Sequence, residues 1–80
     1  MPKKMKRIKR LPELKKGECG IVKLVLCEGA IRRRFLDIGL IPGTKVVCYG
    51  KSPLGDPSAY AVRGKIIAIR KEDAKSIILI

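Results

Sequence analysis

One stretch, Ile31 to Val47, restricts the fold more than any other. It holds the only convincing helix of the chain, that helix's stop signal, and the turn that starts a strand. From Ile31 the apolar positions Phe35 and Ile38 recur four and seven residues on, with Leu36 beside them, while Arg32, Arg33, Arg34 and Asp37 fall mainly on the other side. Such a helix turns one stripe inward. Gly39 stands where a left-handed C-terminal cap is needed, and Pro42 follows where no helix can continue. Pro42-Gly43 suits a type II turn, because Pro fixes φ at the first central position and Gly accepts positive φ at the second. The chain leaves that turn extended, so the rest of the core has to come from strands.

Met1 to Arg10 is dense in charge and reads as a mobile basic arm, which leaves residues 11–80 as the domain. Leu11-Pro12-Glu13-Leu14 fits one helical turn whose leucines plug one end of the core. Gly20 to Cys27 is the first strand, with Val22, Leu24 and Leu26 on one face and Ile21, Lys23, Val25 and Cys27 on the other. Lys23 marks the second face as outer, which leaves Cys27 partly exposed. Thr44 to Ser52 is the second strand, with Cys48 in phase with Val46 and therefore in the core. Pro53 to Pro57 is dense in turn formers, and an Asx-type turn accounts for Asp56. Ser58 to Val62 and Lys65 to Arg70 flank Arg63-Gly64 at the spacing of a tight hairpin, although Arg does not favour a primed turn. Lys71 to Ala74 is a single helical turn, and Ile77 to Ile80 a short last strand.

These elements describe a mainly β fold: a small barrel of about five short strands, with one α-helix inserted between the first and second. Strand phase turns Val22, Leu24, Val46, Cys48, Ile67, Ile69, Ile77 and Leu79 inward with Phe35 and Leu36. Val25, Val47, Tyr49, Ile66, Ile78 and Ile80 lie on the other faces and are apolar too. Either the helix and the N-terminal segment cover them, or they make a docking patch. In the second case Ile77 to Ile80 is an exposed strand able to pair with a partner or with another copy of the chain.

Eighty residues allow one domain with one small core, and a buried cofactor cavity would leave little to stabilise it. With no His and seven acidic residues, the chain shows no nucleophile-base pair and no carboxylate cluster, so it reads as a binding module and not an enzyme. No metal or cofactor site is expected, since imidazole is lacking and Cys19, Cys27 and Cys48 have no paired spacing. The net charge of +12 points to anionic partners: nucleic acid, acidic headgroups or an acidic protein surface. Lys3, Lys4, Lys6, Arg7, Lys9 and Arg10 concentrate that charge in the arm, which is either a solubilising tail or an anchor to an anionic membrane surface. Arg32, Arg33 and Arg34 fan over roughly 200° of helix, so they cannot share one contact; they are either a solvated face or a partner contact. No apolar run approaches the roughly 18 residues of a membrane helix, and the N-terminus lacks the apolar centre of a signal peptide. A cytoplasmic protein is expected, at most peripheral to the inner face of the membrane.

The runs RRRFLDIGLIPGT, SPLGDP and AVRGKIIAIRKEDAKSIIL, in this order and spacing, resemble the FeoA family of ferrous iron transport from about Leu11 to Ile80. The elements that carry the likeness are Arg34 and Leu36, Ile38-Gly39-Leu40, Pro42-Gly43, the loop 53–57, Arg63-Gly64 and Ile69-Arg70. The resemblance implies an SH3-like barrel and a non-catalytic accessory role. The partner would be the membrane ferrous iron permease, which carries a cytoplasmic GTP-binding domain. It also extends to the C-terminal domain of iron-dependent repressors, whose DNA-binding part is absent here. Phe35 departs from the family pattern, and the arm is longer than the domain needs. On this reading Arg32, Arg33, Arg34, Tyr49, Ile78 and Ile80 are the candidate partner-binding residues. Two alternatives stay open: a basic barrel that binds nucleic acid, and a self-associating, metal-linked regulatory domain.

Overall fold

A computed structural model of the chain describes residues 9–80, so the expected arm over residues 1–8, and its role at an anionic surface, lie outside the described residues. Six strands form: β1 (Lys9–Arg10), β2 (Cys19–Val25), β3 (Lys45–Lys51), β4 (Ser58–Val62), β5 (Lys65–Ile69) and β6 (Ile77–Leu79). Helix α1 (Gly29–Ile38) lies between β2 and β3, and α2 (Lys71–Ala74) is a single turn before β6. The strand order is β1-β6-β2-β3-β4-β5, antiparallel throughout. The first half of β2, Cys19 to Ile21, pairs with β3, while the second half, from Val22 to Val25, pairs with β6. One strand thus serves both walls of the barrel.

That division explains where the strand phases fail. The register against β6 shifts between Val22 and Leu24, and a shift of one residue exchanges the two faces of a strand. Val22 is buried, Leu24 is 48% exposed, and Val25 packs against the core in its place. Leu36 also points outward, because the inward stripe of α1 runs through Ile31, Phe35 and Ile38. Leu11 and Leu14, flanking the 3-10 turn Leu11–Glu13, are fully buried with Leu40 and Tyr60.

The last strand is not an edge. Lys9 pairs with Leu79 and Arg10 with Ile78, so two residues assigned to the arm form β1 and close off β6, which is held on its other side by β2. The count is therefore six strands and not five. Ile78 is 8% exposed and drops out of the expected docking patch, and pairing through β6 with a partner or a second copy is blocked.

The stop signals act as anticipated. Gly39 adopts φ 104° and donates to the Phe35 and Leu36 carbonyls at 3.1 Å. Thr44 N–H donates to the Ile41 carbonyl at 3.0 Å across Pro42-Gly43, with Gly43 at φ 96°. These are the bond and the backbone angle of a type II turn. At the β4–β5 hairpin Arg63 takes φ 51° and Gly64 φ 85°, so the turn is primed despite the Arg. Its stem lies against the helix cap, where a Cβ on Gly39 would run into Arg63 Cδ. Asp56 does not close a turn of its own. Its Oδ1 accepts the Lys71 N–H at 2.8 Å and caps α2 from the distant loop between β3 and β4. Arg10 Nη1 donates to the Lys75 carbonyl at 2.7 Å beyond the other end of α2, tying that helical turn to β1.

Candidate functional site

Strand register assembles a surface that no single strand displays. On the outer face of the sheet Cys19 lies opposite Val47, Val47 opposite Ala61, and Ala61 opposite Ile66, a row crossing β2 to β5. Ala59 and Ala68 pair in the next row. Beside them the β3–β4 register shifts between Cys48 and Gly50, which leaves Tyr49 as the extra residue of a bulge. Tyr49 is 61% exposed and Ile66 53%. Alanines floor this face while Val47, Tyr49 and Ile66 rise from it, so it is apolar and shallow. Neither β3, β4 nor β5 carries an acidic residue. A hollow of about 460 Å³ at its rim is lined by Gly43, Thr44, Lys45, Val47, Ala61, Arg63 and Gly64, which places two cations beside the apolar surface. Apolar area edged by fixed positive charge suits a protein partner with an acidic border.

Of the expected partner-binding residues, Tyr49 is on this face and the others are elsewhere. Ile80 is half-exposed, but it exchanges backbone bonds with Ile21 (Ile80 N–H to the Ile21 carbonyl, 2.9 Å) and belongs to the β6 side of the barrel. The three arginines divide, as their angular spread requires. Arg32 donates to the Val25 carbonyl at 3.2 Å, and with Arg33, Gly29, Ala30 and Leu36 it lines one hollow. Arg34 lines another, with Pro57, Ala68, Ile69, Arg70 and Asp73. Ala59, Ala61 and Ala68 were missed as site residues, because their contribution lies in smallness and register and not in hydropathy.

The remaining chemistry is sparse. Burial pushes the Tyr60 phenol above its ordinary range, so it stays neutral in the core. The Lys15 N–H, donating to Glu18 Oε1 at 2.7 Å, holds the Glu18 carboxyl below its ordinary value, and Lys9 at 4.0 Å assists. Among the described residues no three His, Cys, Asp or Glu side chains come together. Phe35 and Tyr60 are buried, which leaves Tyr49 as the one exposed aromatic ring of the three. A stacking platform for nucleic acid needs several.

Residues 9–80 match the family model of the FeoA domain. The chain belongs to the FeoA family. It is 32% identical over 68 residues to a fusion of Fe(2+) transport protein A with the Fe(2+) transporter FeoB from Porphyromonas gingivalis, a match covering 85% of this chain and 8% of that relative's length. The solution structure of FeoA from Chlorobium tepidum is 37% identical, superposes with a TM-score of 0.83, and is matched over 90% of this chain and 70% of its own. FeoA from Stenotrophomonas maltophilia, described as a prokaryotic SH3 domain protein and crystallised with zinc, is 28% identical with a TM-score of 0.80, over 90% of this chain and 89% of that one. The SH3-like barrel implied by the sequence resemblance is therefore the FeoA fold. A manganese-dependent transcriptional repressor shares that fold at 15% identity and a TM-score of 0.82, over 95% of this chain and 37% of the repressor.

Proposed function

We propose that this FeoA-family chain is a non-enzymatic, cytoplasmic accessory protein of ferrous iron transport that docks on the iron permease and modulates it. The observation that carries the reading is the fusion relative, in which an equivalent segment and the transporter form one polypeptide. Covalent linkage raises effective concentration without adding contacts, so the same pair as separate chains needs a built surface for encounter. The outer face of β3 to β5 supplies one, with Tyr49 at its most exposed point and cations at its rim. No helix among the described residues is long and apolar enough to cross a membrane.

The test is a calorimetric titration of the chain against the permease's purified GTP-binding domain and against the whole permease in detergent. Saturable binding is expected. It should be lost in Tyr49→Glu, whose far-UV circular dichroism should match wild type because that side chain packs on nothing in the core. No heat with either form of the permease would refute the reading.

A further inference from the structure

We infer that the free edge of β5 accepts an extended, acidic segment of a partner protein as an added strand. A two-residue hairpin makes its closing pair exchange both backbone bonds, and the antiparallel ladder then alternates. Val62 opposite Lys65, Tyr60 opposite Ile67 and Ser58 opposite Ile69 are therefore the bonded pairs. The N–H and C=O groups of Ile66 and Ala68 point away from β4, and no described backbone group meets them. Edge strands are ordinarily blunted by shortness, proline, bulges or charge. The opposite edge of this sheet, β1, is two residues long, whereas β5 runs for five with an unbroken register, no proline, and Lys65 as its sole charge.

Charge selects the occupant. From Ser58 to Arg70 there are three cations, Arg63, Lys65 and Arg70, and no acid. Arg63 and Lys65 stand at one end of the edge. At the other, a hollow of about 220 Å³ is lined by Arg34, Arg70, Ala68, Ile69, Pro57 and one carboxylate, Asp73. A second copy of the chain pairing antiparallel here, Ile66 against Ala68, would set Lys65 of each strand opposite Ile69 and Arg70 opposite Gly64, so each end of the added ladder would gather cations from both copies with no acid between Ser58 and Arg70 to meet them. An incoming strand with carboxylates near both ends finds cations at both, and a β-branched residue between them would pack on Ile66. This assigns an edge to the docking reading above and rests on it only for the identity of the partner.

The experiment uses the isotope-labelled full chain and a short blocked peptide alternating glutamate and valine. The expected result is saturable binding, with the largest chemical-shift changes, and slowed hydrogen exchange, at the Ile66 and Ala68 amides. A lysine–valine peptide should not bind, and neither should the glutamate–valine peptide carrying N-methyl groups at alternate residues. Ile66→Pro removes an outward N–H while leaving the β4 ladder intact, and should abolish binding. The N-methylated peptide reads the same dependence without altering the protein. Absence of binding, shifts centred elsewhere, or equal binding of the lysine or N-methylated peptide would overturn the proposal. So would concentration-dependent shifts at these amides without peptide, which would give the edge to a second copy. Peptide binding alongside a silent permease titration would defeat the permease reading and leave the edge standing.

Discussion

Replacing Gly39 by Ala probes the contact on which helix and hairpin meet. At φ 104° an L-residue pays a left-handed penalty of about 1–2 kcal/mol. The added methyl also displaces the Arg63 stem, a flexible side chain that can move off its rotamer for about 0.5–1.5 kcal/mol. The expected loss is therefore about 1.5–3.5 kcal/mol, and at about 4–8 °C per kcal/mol for a domain of this size the melting midpoint should fall by roughly 6 °C or more. Arg63→Gly alone should be near neutral, because relief of the strained φ of 51° offsets lost stem packing and the greater entropy of an unfolded glycine. In that background Gly39→Ala should lose its steric part, leaving a coupling of about 0.5–1.5 kcal/mol between the two sites. Urea denaturation of the four proteins, followed by circular dichroism, measures it. Strict additivity would show that Arg63 does not lie on the cap, and a Gly39→Ala cost under about 0.5 kcal/mol would show that the left-handed cap itself is absent.

Asp56→Ala should destabilise by about 1 kcal/mol and speed hydrogen exchange at the Lys71 amide, since that N–H loses its acceptor; unchanged exchange there would place the cap elsewhere. Glu18, with its carboxyl lowered in the fold chiefly by the Lys15 N–H, contributes stability that is present above the ordinary glutamate range and disappears as pH falls through the folded value. Carbon-detected titration should therefore find its midpoint below that range, and Glu18→Gln should flatten the acid limb of stability against pH.

Local chemistry was readable where a residue type forces a backbone state. Gly39 after an amphipathic run, Pro42-Gly43, and the two-residue gap at Arg63-Gly64 each named a turn that the fold contains. What escaped were events decided by pairing. Alternation along Val22, Leu24 and Leu26 assumes an unbroken pleat, and the bulge before Leu24 exists because β2 changes partners there. Lys9 and Arg10 carry no strand pattern at all; they form β1 because Leu79 and Ile78 offer an open ladder. For the same reason Ile78 looked like surface, since nothing local to it announces a neighbour almost seventy positions away. The docking face was half visible. Val47, Tyr49 and Ile66 stood out as apolar on the wrong side of their strands, whereas the alanine floor between them becomes a surface only once β4 is placed in register with both neighbours.

The pairing of Lys9 with Leu79 brings the two ends of the domain to one place. A polypeptide entering at residue 9 and one departing from residue 80 share a single side of the barrel, so the domain can hang from a larger protein as a pendant on either tether without threading or reorientation. Reach and rotation would then be set by the tether alone.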